Sequence, residues 1–389
     1  LITDGGTLQI GIGSLGDAIA AVVALRQSDN SRYRQLHDQL TAQFSHNHNA
    51  KITVQTGCFQ QGLYAASEML VEGLLHLRSH GVLTRTVGNG IYCHGGFFAG
   101  SENFYNQLRA LSASERCGIE MTRISYINHL YQDEIIKRQQ RQHACFVNSA
   151  MMVSLTGAVV SDALKEQQVV SGVGGQYNFV AQAHELDDAR SIICLPSTRS
   201  SSGKLHSNIV WEYNHTTIPR HLRDIVITEY GVADLRGLND RDVIISMLAI
   251  CDARFQSVLL QRAQQAGKVE HDFKLPLAWG KNLPTELENI LLKPQHSSLL
   301  AYFPLGSDFT TTETVLAVAL QYLKDHNSKR QLIKLFLQGW QQHKNNNETW
   351  QDALLRMGLN QPTKLGDKFY RYLLLGAFIN TSARPYLTD

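Results

Sequence analysis

Apolar positions along this chain follow two rhythms, and the change between them divides it. Up to about residue 265, short apolar runs alternate with stretches of helical spacing. Residues 7–12 form an apolar run that predicts a strand. Residues 17–25 space Ile and Val among alanines as a helix does, and Gly11-Ile-Gly13-Ser-Leu-Gly16 joins the two. Residues 27–51 are polar and read as an excursion, with a helix over about 32–44. Strand edges are predicted at 52–54 and 62–64, an amphipathic helix over 69–78, and short strands at 82–87, 90–92 and 124–127. Residues 144–155 and 159–161 flank Thr156-Gly157 as a hairpin, and 169–175 is a strand running into glycines. The unbroken apolar runs at 191–195 and 225–228 suit strands buried on both faces of a parallel sheet, and 240–250 returns to helical spacing.

Beyond residue 270 the strand signal fades. Thr310-Thr-Thr-Glu313 is a capping-box pattern ahead of the apolar stripe at 315–323, and amphipathic helices are predicted at 329–342, 349–357 and 368–375. The chain therefore reads as an α/β domain over 1–268 and an all-helical module over 269–389.

Composition narrows the class. The 389 residues are 43% apolar and 18% charged, which excludes a disordered, collagen-like or coiled-coil chain. Lys+Arg of 36 against Asp+Glu of 34 leaves a net charge of +2, without the basic excess of a nucleic-acid or acidic-membrane binder. No apolar run approaches the ~20 residues that cross a bilayer. The chain opens Leu-Ile-Thr-Asp, with no Met and no signal-peptide pattern, inside what reads as a motif; it is expected to be a piece of a longer chain. Cys58, Cys93, Cys117, Cys145, Cys194 and Cys251 are scattered without a C-x-x-C pair, which predicts reduced thiols in a cytoplasmic protein rather than a zinc or disulfide framework.

Two glycine clusters carry candidate chemistry. Gly11-x-Gly13-x-x-Gly16 matches the dinucleotide fingerprint literally. That motif also needs an acidic residue about 20 positions on, at the end of a second strand. Asp29 sits nearer, in polar surroundings. A nicotinamide or flavin dinucleotide, a tight turn, and contact with a phosphate-bearing or thioester ligand all remain open for this loop. Ser171-Gly172-Val-Gly174-Gly175-Gln176 is a second strand-to-glycine junction. Its bare backbone suits close approach to a ligand or an oxyanion hole, or a plain bulge.

With these two clusters and Ser67-Glu68-Met69 in order, the chain resembles the acetyl-CoA hydrolase/transferase family, which includes 4-hydroxybutyrate and succinyl-CoA:acetate CoA-transferases. Asn148-Ser-Ala, Leu155-Thr-Gly157, Leu195-Pro-Ser-Thr198, Thr216-Thr-Ile-Pro-Arg220, Thr228-Glu-Tyr-Gly-Val-Ala233 and Leu235-Arg-Gly237 extend the resemblance over about 1–265. It implies an open three-layer α/β/α sheet of the CoA-transferase type, here the second of the family's two halves, followed by the helical module. It further implies that Glu68 is the catalytic carboxylate and passes through a glutamyl-CoA thioester. Gly11, Ile12, Gly13, Ser14 and Leu15 would form a CoA-contacting loop, although Ser14 and Gly16 replace a glycine and a proline common in the family. Gly172, Gly174 and Gly175 would approach the thioester, and Asn148 would stand near the site or serve as a satisfied core residue. The turn Asp187-Asp188-Ala-Arg190 replaces a lysine-rich one, leaving Arg190 as its candidate for a CoA-phosphate contact. Acyl-CoA and a small carboxylate are the implied substrates, with no permanently bound cofactor and no metal. The implied partners are a possible second copy in a homo-oligomer, and neither nucleic acid nor membrane. The competing expectations are a CoA-binding or assembly module that lacks its N-terminal half and, more weakly, a sugar-phosphate isomerase-like α/β protein.

Other constellations are silent. Neither Gly-x-Ser-x-Gly nor a Walker A motif occurs. His46 and His48 fall in the polar excursion, and His206, His215 and His221 lack an acidic partner at ligand spacing. Trp340, Trp350, Phe369 and Tyr370 are expected to form the core of the tail.

Overall fold

The computed structural model describes residues 1–44, 54–201, 203–293, 296, 299, 301, 303–344 and 350–382. His46, His48 and most of the strand edge expected at 52–54 lie outside the described residues. The chain forms two compact units, one of Leu1–Thr198 with Ser207–Ile290, the other of Arg199–His206 with Leu291–Asp389.

The strands, in chain order, are β1 (Thr7–Ile10), β2 (Tyr64–Leu70), β3 (Cys93–Phe98), β4 (Ile119–Met121), β5 (Cys145–Ser149), β6 (Met152–Ser154), β7 (Val159–Val160), β8 (Arg190–Cys194), β9 (Thr198–Ser201), β10 (Lys204–Ser207), β11 (Ile209–Val210), β12 (Ile225–Thr228) and β13 (Gly231–Asp234). Eight of them build the main sheet in the order β13-β12-β8-β5-β1-β2-β3-β4. Every neighbouring pair is parallel except β12 and β13. Parallel neighbours need long crossovers, and helices Ser14–Ser28, Glu72–Ser79, Glu102–Ala110 and Gln176–Glu185 lie in them. From β1 the chain moves outward through β2 and β3 to β4, then returns to β5 on the other side of β1. The strand order therefore reverses between β1 and β5.

Side chains alternate across the sheet and give each face its own core. Leu8, Ile10, Val147 and Ile192 pack with Ala20 and Val23 of helix Ser14–Ser28 and with Leu74 and Leu77 of helix Glu72–Ser79. On the opposite face Phe146 meets Phe179, Ala183 and Ile127. There also Ile193 and Val226 lie under Ile244, Met247 and Leu248 of helix Asp240–Ala249 and Leu259 of helix Ala253–Gln265. This is the open α/β/α arrangement that the resemblance implied.

Local readings moved where runs were too short to show a period. The helix expected over 69–78 begins at Glu72, because β2 continues through Leu70. The strand expected at 124–127 is a helix, Ile124–Asn128, whose Ile127 is buried on the sheet. Of the strands expected at 82–87 and 90–92 there remains one bridge, Val87 to Ile91. Residues 170–175 are loop, leading into helix Gln176–Glu185. The expected hairpin is divided: β5 joins the main sheet, while β6 and β7 turn around Gly157 (φ +91°) and form a small sheet with β11.

In the second unit, helix Thr311–Asp325 starts with the full capping box: Glu313 N–H donates to Thr310 Oγ1 (3.2 Å) and Thr310 N–H to Glu313 Oε2 (3.0 Å). Leu316, Ala319, Ala353, Leu354, Leu374 and Phe378 form its core, with Trp350 stacked on Phe378. Trp340, Phe369 and Tyr370, expected inside, are exposed. Helices Lys329–Lys344 and Leu365–Ser382 touch through Gly339 and Gly376, where a Cβ would sit about 2 Å from the partner's backbone. An amphipathic pattern is all that marks this module along the chain; the paired glycines decide how closely its two long helices cross.

Candidate active site

In an open α/β sheet the natural ligand crevice lies beyond the carboxyl ends of the strands where their order reverses. Here that is the end of β1 and β5, and both loops there come from the sequence reading. Gly11 follows β1 and donates its N–H to Val147 O of β5 (2.8 Å). Gly13, at φ +106°, stands at the N-terminus of helix Ser14–Ser28, which has no side-chain cap, and Ile12 and Ser14 are exposed. Gly16 is required for packing, since a Cβ there would meet Gly11 O at 2.1 Å. Asn148, at the end of β5, is buried and paired with Gln9: its Nδ2 donates to Gln9 Oε1 (3.1 Å), and Gln9 Nε2 donates back (3.4 Å). It thus acts as a satisfied strap between β1 and β5, under Gly11.

Asp29 caps the next helix by accepting Arg32 N–H (3.2 Å), and among the described residues the next strand of the sheet begins at Tyr64. Among the described residues the dinucleotide geometry is not present.

Glu68 lies one strand over, near the end of β2 and half-buried. The glycine loop ahead of helix Gln176–Glu185 is moulded around it. A Cβ on Gly175 would fall 2.5 Å from Glu68 Oε2, and one on Gly174 would fall 3.5 Å from it. Gly174 is also left-handed (φ +55°). Helix Gln176–Glu185 has no side-chain cap, so the carboxylate adjoins a bare, electropositive helix start. No described atom lies within 4 Å of the position a Gly172 Cβ would occupy. The loop at Gly11–Leu15 follows β1, the strand beside the one that carries Glu68, at the same end of the sheet.

The structure adds a residue that sequence reasoning missed. Asn128 is 7% exposed, and its Oδ1 lies 3.1 Å from the same Gly175 Cβ position without a hydrogen-bond partner among the described residues. Its setting is built with care. Buried Arg141 donates to Ile127 O (3.1 Å) and Tyr126 O (2.6 Å) and to Gln182 Oε1, while Gln182 Nε2 also donates to Ile127 O (3.1 Å). Two side chains thus fix the backbone that carries Asn128. An unsatisfied buried amide is costly unless something outside the protein completes it. The strand expected at 124–127 stops one residue short of Asn128, and that expectation hides it.

Lower on the same face of β2, Tyr64 Oη and His94 Nδ1 are 2.7 Å apart, and His94 Nε2 is 3.2 Å from Glu120. Burial holds the His94 imidazole below its ordinary pKa, against the opposing pull of Glu120. His215, which seemed to lack an acid, pairs with Asp162 (2.8 Å), 53 residues away in sequence. All six cysteines are free, and burial pushes the Cys93, Cys145, Cys194 and Cys251 thiols up to about 12. Among the described residues no His/Cys/Asp/Glu cluster could hold a metal, and no helix is long and apolar enough to cross a membrane.

A family model described as the acetyl-CoA hydrolase/transferase C-terminal domain matches residues 100–263. The 4-hydroxybutyrate coenzyme A transferase of Clostridium kluyveri is 26% identical over 267 residues, 67% of this chain and 51% of that protein. A probable butyrate:acetyl-CoA coenzyme A-transferase of Syntrophomonas wolfei is 31% identical over a shorter stretch, 31% of this chain and 27% of that one. Among solved structures, RipA from Yersinia pestis superposes with a TM-score of 0.51 at 24% identity, covering 69% of this chain and 51% of that one. The fold is shared with RipA, and residues 100–263 match the acetyl-CoA hydrolase/transferase C-terminal family model. The chain spans about half the length of the curated relatives that match most of it. Asn128, Asn148 and the second glycine loop lie inside the matched residues; Glu68 and the Gly11 loop precede them.

Proposed function

We propose that this chain is the glutamate-bearing half of an acyl-CoA:carboxylate CoA-transferase or acetyl-CoA hydrolase of the cytoplasm. The observation that carries the reading is the fit of the Gly174–Gly175 loop around the Glu68 carboxylate at an uncapped helix start. A Glu68 oxygen attacks the thioester carbonyl; the C–S bond breaks and a CoA thiolate leaves, giving an acyl-glutamyl anhydride. The thiolate attacks the glutamyl carbonyl, releases the first carboxylate and leaves a glutamyl-CoA thioester. A second carboxylate repeats the two steps in reverse and restores Glu68. Water in place of the acceptor gives hydrolysis. A carboxylate is a weak nucleophile, so position and oxyanion stabilisation supply the rate. The Asn128 Oδ1, without a hydrogen-bond partner among the described residues, is left to a donor group of the substrate, and the loop at Gly11–Leu15 to the CoA chain.

Sodium borohydride added after acyl-CoA to the complete enzyme tests this. Reduction of a glutamyl thioester inactivates it, while Glu68→Gln lowers turnover by about 10³-fold or more and leaves CoA affinity nearly unchanged. Turnover retained by Glu68→Gln sinks the assignment.

A second reading has one observation in its favour. Ile12, Phe97, Phe98, Met121, Ile124 and Val173 are exposed at the end of the sheet that carries Glu68, so this chain alone would be a CoA-binding module awaiting the other half. CoA binding without borohydride-sensitive chemistry, even with that half supplied, selects it.

A further inference from the structure

Two buried cations, Lys137 of helix Glu134–Gln140 and Arg141 at its end, stand four residues apart and so share a face. Both donate to uncharged oxygens, and among the described residues no carboxylate pairs with either. Arg141 donates to Tyr126 O and Ile127 O, open carbonyls at the end of helix Ile124–Asn128. Lys137 holds the chain that leaves this helix. Its Nζ donates to His129 O and to Tyr131 O, each at 3.0 Å, and lies 4.7 Å from the centre of the Tyr126 ring. Asn128 stands between the two pairs of carbonyls. We infer that Lys137 is a positioning residue for the chemistry at Glu68: its ammonium pins the turn behind Asn128 and so keeps the Asn128 amide against Gly175 and the Glu68 carboxylate. The inference rests on the function proposed above.

Three features set Lys137 apart from a side chain that merely fills space. The first is burial. Lys137 is 0% exposed, and an ammonium out of water is costly where an apolar side chain is not. Asp133, the acidic neighbour that favours its charge, is engaged by Arg123 (3.6 Å). The second is strain. Gln132 (φ +58°) and Asp133 (φ +59°) are successive left-handed residues without a glycine, a backbone that persists only where its surroundings impose it. The third is the weakness of the element that ends in Asn128. Helix Ile124–Asn128 has five residues and no side-chain cap, too little to fix its last residue unaided. Arg141 secures only the near side. With His129 O and Tyr131 O released, the turn relaxes and carries Asn128 with it, and its Oδ1 leaves the place 3.1 Å from the Gly175 Cβ position. The donors of Lys137 end on these two carbonyls, so its effect on turnover runs through Asn128.

A double-mutant cycle on the complete enzyme tests this. Lys137→Met keeps the length of the side chain and removes its donors. It should lower kcat about tenfold, as Asn128→Ala does, and leave KM for acyl-CoA within about twofold. In the Asn128→Ala background the same change should lower kcat by less than about twofold, because the group it positions is gone. Lys137→Gln, whose amide N–H still reaches one carbonyl, should fall between Lys137→Met and the unmodified enzyme. If Lys137→Met does not fold, the cycle is run with Lys137→Gln. Equal losses in both backgrounds, or full turnover in a folded Lys137 variant, overturn the proposal alone. Turnover retained by Glu68→Gln fails the function it rests on, and the proposal with it.

Discussion

The two glycine loops look alike in sequence and use their glycines for different ends. In the first, Gly16 exists for the backbone: a Cβ would strike Gly11 O at 2.1 Å, and no acidic side chain stands against it. In the second, Gly175 has an ordinary conformation (φ −85°, ψ 4°), and a Cβ would strike a carboxylate oxygen of Glu68 at 2.5 Å and, less closely, the ring of buried Phe179 at 2.9 Å. Gly16 is a requirement of folding at the point where helix Ser14–Ser28 leaves the sheet. Gly175 is a requirement of the place the Glu68 carboxylate occupies. Glycine in a motif is therefore informative only once the neighbour that forbids its side chain is known.

Single methyl groups can break this contrast. Gly175→Ala should fold, with a modest loss of stability from the Phe179 contact, yet lower turnover of the complete enzyme by about 100-fold, because displacing a reacting atom by about 1 Å costs that much. Steady-state kinetics beside a thermal melt reads both halves of the claim, and full activity would show that the carboxylate has room to spare. Gly16→Ala should do the reverse, losing about 1–3 kcal/mol in urea unfolding as an overpacked contact does. Asn128→Ala should cost little stability, since it removes an unpaired buried acceptor. Turnover should nevertheless fall about tenfold; an unfolded variant would instead make Asn128 structural.

The smallest effect lies away from both loops and serves as a control. Hydrogen bonds from Arg220 foremost, then Arg223 and Lys268, hold the Asp240 carboxyl below its ordinary pKa. A depressed folded-state pKa gives stability that is present above the unfolded value and lost as pH falls through the folded one. Asp240→Asn should therefore lose about 1 kcal/mol at neutral pH, and the loss should vanish toward the acid end of an unfolding series. A difference constant across pH would exclude the linkage.

Much of the scaffold was legible. Continuous apolar runs found β8 and β12, because a strand buried on both faces needs no alternation. Thr310 and Glu313 marked a helix start, because a capping box is a local event. Short segments failed for the matching reason. Residues 124–128 and 169–175 are too brief to show a period, and their state depends on what they pack against. That error concealed Asn128. Likewise Asn148 could be read as a site residue or a core amide, and only its partner Gln9, 139 residues away, makes it a strap.

Glu68 became the acidic candidate through the family resemblance, while the first strand–glycine–helix junction, the runs of β8 and β12 and the change of character in the tail were legible in the sequence, since each rests on neighbours a few residues apart. The meeting of Glu68, Asn128 and Gly175 was not. They come from a strand, a short helix and a loop spread over more than a hundred positions. What joins them is the reversal of strand order between β1 and β5, together with the buried Arg141 and Gln182 that fix the backbone between Tyr126 and Asn128. Contacts so distant in sequence leave no periodic trace, because the constraint acts through the packed sheet and not along the chain.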